Sequence, residues 1–126
     1  MNQLSVGVFC ADNQKWRTKA DAGHEFSTQT LMFATYNIWF GRFGRFGRHR
    51  ERDRHLAILT ILQNRNADVI GLQEVTHSSL PLILEQEWIR DAYEVSDSRG
   101  DTFGAYGTLL LSRLPVLNFE QTLCVR

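Results

Sequence analysis

Two polar residues, Asn37 and Glu74, stand at the ends of apolar runs that read as strands, "LMFATYN" and "ADVIGLQEV". If these strands are parallel neighbours joined by the intervening helix, their carboxyl ends lie on one edge of a sheet. Sites in α/β arrangements gather at that rim. A carboxylate there is a natural ligand for a hard cation such as Mg²⁺, which prefers oxygen and keeps several waters. An amide beside it can hold a phosphate oxygen or orient the carboxylate. On pattern alone the two residues also read as solvated strand ends.

Other candidates cluster around this pair. The run "GRFGRFGRHRER" follows Asn37 and brings Arg42, Arg45 and Arg48 to the same rim. Guanidinium groups suit phosphate geometry, and the glycines at 41, 44 and 47 make the run a flexible loop. It reads equally well as a solvated connector leading into a helix of alternating charge. Trp39 and Phe40 suit stacking on a base or a tyrosyl ring, or plugging a core. Tyr106 precedes a later strand and could approach a substrate phosphate, although such a tyrosine is more often packed. Arg113 reads as a solvated strand-end arginine. His55 falls at the start of the first helix. His77 reads as a loop or capping residue, and Thr76 as a neighbour of the cation site or a turn cap.

The elements that must position these residues follow from periodicity. "ERDRHLAILTILQNRN" reads as a helix with a wide buried stripe of Leu56, Leu59 and Leu62, with Ala57, Ile58 and Ile61 beside it. Asn64 and Asn66 close it. Val69, Ile70 and Leu72 show no polar alternation, which suits a central strand covered on both faces. "SSLPLILEQEWIR" reads as a second helix, with Ser78 or Ser79 as N-cap and Pro81 in its first turn. "YGTLLLSRLPV" and "LNFEQTLCV" read as two strands in a hairpin around Leu114 and Pro115. Residues 1–30 are weakly patterned and read as an extension or linker, with a short edge hairpin as the alternative.

Bulk properties bound the rest. At 126 residues the chain is one domain's worth. With 43% hydrophobic and 22% charged residues it is an ordinary globular sequence rather than a disordered one. Basic and acidic residues balance at 14 each, so affinity for an anion must come from a local patch. Cys10 and Cys124 form no metal-type spacing and no disulfide framework, which favours free thiols in a reducing compartment. With no secretory signal and no long apolar run, the expectation is a soluble, intracellular chain without a membrane partner, cytoplasmic or, in a eukaryote, nuclear.

"TYNIWF", "DVIGLQEV" and "YGTLLLSRLPV", in that order, resemble the endonuclease/exonuclease/phosphatase superfamily, which includes AP endonucleases, DNase I-like nucleases and neutral sphingomyelinases. "TYNIWF" and "LQEVT" look most like its tyrosyl-DNA phosphodiesterase 2 branch. The resemblance covers Leu31 to the end. It implies Mg²⁺ (Mn²⁺ as the alternative) held by Glu74, Asn37 at the scissile phosphate, and hydrolysis of a phosphodiester, with a 5′-phosphotyrosyl DNA end as the substrate. The family's later Asp-x-Asn and Ser-Asp-His motifs do not occur among the 126 residues. The expected fold is therefore α+β: residues 31–126 as the N-terminal half of a four-layer α/β/β/α sandwich, one mixed sheet with flanking helices. Such a half is expected to be inactive alone and to leave a sheet face open for a partner chain. A non-catalytic nucleic-acid-binding module using the Arg-rich loop, or a partner-dependent structural subunit, are the competing expectations.

Overall fold

The computed structural model describes residues 2–4, 6–19, 30–39 and 47–122, with side chains left undescribed at 2–4 and 47–49. The architecture is α+β, with one mixed sheet and helices packed against it. Strands β1 (Asn2–Leu4), β2 (Gly7–Cys10), β3 (Lys15–Thr18) and β4 (Phe33–Asn37) precede helix α1 (Gly47–Arg65) and strand β5 (Val69–Val75). Helices α2 (Leu80–Leu84) and α3 (Glu87–Ala92) follow, then strands β6 (Glu94–Val95), β7 (Gly107–Ser112) and β8 (Phe119–Gln121). Six strands form one sheet in the order β3-β2-β6-β7-β5-β4, and β1 pairs with β8 in a small second sheet. Among the described strands of this sheet only the β4–β5 pair is parallel; β5–β7, β7–β6, β6–β2 and β2–β3 are antiparallel.

The helices all cover one face. Ile58, Leu59 and Leu62 of α1 share a single apolar cluster with Ile70, Leu72 and Val75 of β5, Leu109 and Leu111 of β7, and Ile83 and Ile89 of the short helices. The registers Ile70–Leu111 and Leu72–Leu109 place these strand residues on that face. The opposite face carries Phe33, Thr35 and Asn37 beside Val69, Gly71 and Gln73, all at least partly exposed. So among the described residues β5 is covered on one face. Its uninterrupted apolar run misleads because Gly71 and Val69 are small enough to face outward without forming a large patch. That open face is polar toward the rim, where Gln73 Nε2 donates to Thr35 Oγ1 at 2.9 Å. It is apolar at the far end, where Phe33 is 67% exposed.

Several expected elements change. Helix α1 begins at Gly47, so the third Gly-Arg-His repeat unit is helical rather than loop. Its buried stripe is narrower than expected: Ile58, Leu59, Leu62 and the unexpected His55 are buried, whereas Ala57 and Ile61 are exposed. These four lie at i, i+3, i+4 and i+7, a single helix face against a single sheet. Asn66, at φ +52°, closes the helix in the left-handed conformation that asparagine tolerates. The second helix is two, broken where Gln86 adopts extended backbone at φ −65°, ψ 121°. Ser79 precedes α2 without capping it through its side chain. The cap lies upstream: Thr76 Oγ1 accepts from Ser79 N at 3.1 Å while Ser79 Oγ accepts from Thr76 N at 2.9 Å. This is the reciprocal geometry of a capping box, with serine in the place of glutamate.

The hairpin expected around Leu114 and Pro115 does not form. Both edges of β7 are taken, by β5 and β6, so β8 has no ladder to join there and pairs with β1 instead. Between residues 7 and 18 the edge hairpin is what the structure holds: β2 and β3 pair in register, and Gly7 extends the sheet opposite Val95. Trp16 packs against the core and donates its indole N–H to the Leu84 carbonyl at 3.3 Å. Just past the hairpin, Lys19 reaches Glu94 at 2.7 Å and the Val116 carbonyl at 3.2 Å.

Candidate active site

The parallel pair places Asn37 opposite Gln73, so Asn37 and Glu74 reach the same rim. Strict alternation along β5 would put Glu74 on the face of Ile70 and Leu72, inside the apolar core. It does not go there. The β5–β7 register slips by one residue between Leu72–Leu109 and Val75–Gly107, a β-bulge. Within the bulge Glu74 takes a left-handed backbone, φ +58°. The extra residue returns Val75 to the core at 0% exposure and turns the Glu74 carboxylate out to the rim. A non-glycine residue in this conformation costs about 1–2 kcal/mol, which the surrounding ladder must offset.

The two side chains meet there. Asn37 Nδ2 donates to Glu74 Oε1 at 2.8 Å. Asn37 Oδ1 accepts the Trp39 backbone N–H at 2.9 Å, an Asx turn that uses both ends of the amide. Ile38 N donates to the Gln73 carbonyl at 3.0 Å, so the ladder continues one step past Asn37 and fixes the two strand ends side by side. Trp39 itself is left-handed, φ +46°, and its ring is 60% exposed. No ion pair engages Glu74 among the described residues, and its Oε2 has no hydrogen-bond partner among them.

Residues 34–126 match the model of the Endonuclease/Exonuclease/phosphatase family. The chain belongs to that family. No curated protein and no solved structure matches it. An Endonuclease/Exonuclease/phosphatase domain has a phosphodiesterase- and nuclease-type fold, and the family generally uses divalent metals. The six-stranded sheet with helices on one face fits part of that sandwich.

Among the described residues the donor set at the rim holds one carboxylate, that of Glu74. Among the described residues no three His, Cys, Asp or Glu side chains gather as a metal site. A zinc centre, which takes three or four protein ligands, is therefore not built from these residues. One outward carboxylate, with an oxygen unpartnered among the described residues, suits Mg²⁺ or Mn²⁺, ions held through one or two carboxylates with water and substrate oxygens completing the shell.

The other candidates separate. Tyr106 adjoins Gly107, the partner of Val75, so it reaches the same rim, where it is 52% exposed. Trp39 is two residues from Asn37 and turned to solvent. Arg42, Arg45 and Phe40 lie outside the described residues, and Arg48 lies in the first turn of α1 with its side chain outside them. Arg113 is not solvated: it donates to Asn66 Oδ1 and to Tyr93 Oη at 3.0 Å and lies 5.4 Å from the Tyr93 ring. It ties the turn after α1 to β7 at the edge opposite the site. His77 packs on the loop between β6 and β7, its ring 5.7 Å from Phe103. A Cβ on Gly100 would lie 2.9 Å from His77 Nδ1. Thr76 is committed to its capping box.

Two residues, Asp97 and Arg54, went unrecognised in the sequence, and a third, His55, was read only as falling at the start of the first helix. Asp97 is buried at the start of the 97–106 loop, and its carboxylate accepts from the backbone N–H groups of Arg99, Gly100, Asp101 and Thr102 and from the Thr102 hydroxyl, at 2.7–3.2 Å. Burial raises its pKa, but the bonds from Thr102, Arg99 and Gly100 outweigh burial and hold it below the ordinary aspartate value. The Asp-Ser-Arg-Gly-Asp-Thr string is the signal that could have found it, since aspartate before glycine favours such turns. His55 is buried beside the Ile38 backbone, and desolvation, with the neighbouring Arg54 charge, lowers its pKa against the opposing pull of Glu51 and that backbone. Arg54 itself gave no signal, being one arginine among several in a charged run. No described helix is long and apolar enough to cross a membrane.

Proposed function

We propose that this chain carries the first half of a metal-dependent phosphodiesterase site. In this reading Glu74 is the ligand for Mg²⁺ or Mn²⁺, and Asn37 orients its carboxylate and faces the scissile phosphate. The reading rests on one observation: the 2.8 Å hydrogen bond between Asn37 and a Glu74 carboxylate that a strained bulge turns out of the core. A carboxylate needed only to end a strand has no reason to occupy a left-handed backbone. When bound, the metal supplies charge neutralisation at the phosphate oxygens. The residues of this chain do the rest of what we assign here. Asn37 sets the carboxylate's direction, and Trp39 and Tyr106 line the rim with exposed aromatic surface. Arg42, Arg45 and Arg48 hold the DNA backbone.

The substrate we assign is a 5′-phosphotyrosyl DNA end, as in the tyrosyl-DNA phosphodiesterase 2 branch, with the exposed Trp39 ring as the surface on which a tyrosyl ring or base stacks. Turnover in this proposal needs the Asp-x-Asn and Ser-Asp-His residues from further polypeptide. The same polypeptide, or a partner chain, covers the sheet face bearing Phe33, Thr35 and Gln73.

Titrating Mn²⁺ into the purified chain, with and without Glu74→Ala, tests the metal assignment. Binding that is lost in the variant is expected. Cleavage of 5′-phosphotyrosyl and abasic oligonucleotides in Mg²⁺ tests the remainder, with negligible turnover expected for the chain alone. Robust turnover that survives Glu74→Ala would sink both assignments.

A further inference from the structure

Arg54 belongs to the alternating-charge run that would serve as a solvated helix start or a DNA contact, but its side chain is committed inward. Its Nη1 donates to the carbonyl oxygen of Ile38 and its Nη2 to that of Trp39. Its guanidinium carbon sits 5.3 Å from the centroid of the Trp39 ring. Both carbonyls belong to the two residues that follow Asn37. A planar fork with five fixed donors can bridge two adjacent carbonyls, and an ammonium group cannot reproduce that geometry.

What the fork holds is a strained turn. Trp39 has φ +46°, a conformation in which a bulky non-glycine residue persists only when neighbouring contacts enforce it. In that conformation the Trp39 N–H reaches Asn37 Oδ1 at 2.9 Å. An asparagine amide has one acceptor end and one donor end. With Oδ1 taken by Trp39, the end left for Glu74 is Nδ2, and it makes the 2.8 Å bond. Were the turn to relax, the amide could rotate and set Oδ1 against the Glu74 carboxylate, which repels it.

We infer that Arg54 is a positioning residue: by bridging the Ile38 and Trp39 carbonyls it holds the left-handed turn that fixes which end of the Asn37 amide faces Glu74. Its importance to chemistry rests on the proposed roles of Asn37 and Glu74; its effect on the turn does not. Arg52, two residues earlier and exposed, carries the same charge without this commitment and serves as the control.

The test compares the ¹⁵N-labelled wild-type chain with Arg54→Lys, Arg54→Ala and Arg52→Ala. Arg54→Lys and Arg54→Ala should speed hydrogen exchange at the Trp39 backbone N–H about tenfold or more, the scale of losing a charge-assisted hydrogen bond. They should also move the Asn37 side-chain amide resonances to those of a freely exposed asparagine and lower Mn²⁺ affinity several-fold. Arg52→Ala should leave all three unchanged. Should Arg54→Ala fail to fold, Arg54→Lys, which keeps the charge and the aliphatic stem, decides alone. Wild-type Trp39 exchange and Asn37 resonances in folded Arg54→Lys would overturn the inference. A Glu74→Gln arm separates the two readings: unchanged Mn²⁺ affinity there removes the metal assignment of Glu74, while the Trp39 and Asn37 signals still decide the role of Arg54.

Discussion

Glu74 offers a test in which two substitutions differ only in the backbone. Glycine and alanine both remove the carboxylate and its 2.8 Å bond from Asn37. They differ in what they tolerate at φ +58°. Alanine keeps the left-handed penalty of about 1–2 kcal/mol, and glycine relieves it. Glycine also gives the unfolded chain more freedom, which subtracts about 0.4–1 kcal/mol. Glu74→Gly should therefore be more stable than Glu74→Ala by about 0.5–1 kcal/mol. For a chain of 126 residues, an unfolding entropy of about 2.1 cal/mol/K per residue converts this into about 2–4 °C of Tm. Thermal melts followed by circular dichroism, with reversibility checked, read the difference directly. Glu74→Gly should come close to the wild type, because the net strain relieved and the exposed hydrogen bond lost are each about 1 kcal/mol. A Glu74→Ala protein more stable than Glu74→Gly by the full chain-entropy difference of about 0.4–1 kcal/mol would show that the bulge stores no strain. The argument that Glu74 is held there for its chemistry would then fail.

Asp97→Asn should lose about 2–3 kcal/mol in urea unfolding, since an amide presents a donor to some of the five donors the carboxylate accepts. The folded pKa of Asp97 lies below its reference value of 3.8, so its contribution is complete above about pH 4 and is lost as pH falls through the folded value; the wild type should show a steeper acid loss than the variant. His55 works from the other side: its folded pKa lies below the reference 6.5, so the unfolded chain takes up the proton first. Stability should be full above about pH 6.5 and decline as pH drops toward the folded value, and His55→Gln should flatten that decline; equal slopes in the two proteins would contradict the assignment. Gly100→Ala meets both a left-handed backbone, φ +76°, and His77 Nδ1 at 2.9 Å, so it should cost at least about 1–2 kcal/mol and shift the His77 ring resonances.

Much of the frame was legible in the chain. "LMFATYN" and "ADVIGLQEV" announce strands by composition, and a 19-residue helix between them allows little other than a parallel pair. That pairing was enough to bring Asn37 and Glu74 to one rim. The short edge hairpin was visible only as an alternative, because four-residue strands such as "GVFC" and "KWRT" carry too few alternations to decide. The misreadings share a cause. A hairpin of β7 with β8, a helix running from Ser78 to Arg90, and a doubly covered β5 are all sound local inferences. Each was overruled by something outside the local pattern: β5 and β6 take both edges of β7, the helix breaks at the extended Gln86, and the described helices pack on one face of β5.

The site divides in the same way. The sequence by itself determined the residue types, their order, and the strand–helix–strand unit that sets an amide beside a carboxylate. It could not determine that Glu74 points outward, because strand alternation alone sends it into the core with Leu72. That direction comes from a one-residue slip against β7, a strand more than thirty residues later in the chain. Nor could it tell Arg54 from Arg52, since the two differ only in what lies beneath them once α1 packs behind the end of β4. Local propensity is written along the chain, whereas register and the choice between two equivalent arginines are settled by non-local contacts. Here those contacts aim the carboxylate and fix the amide beside it.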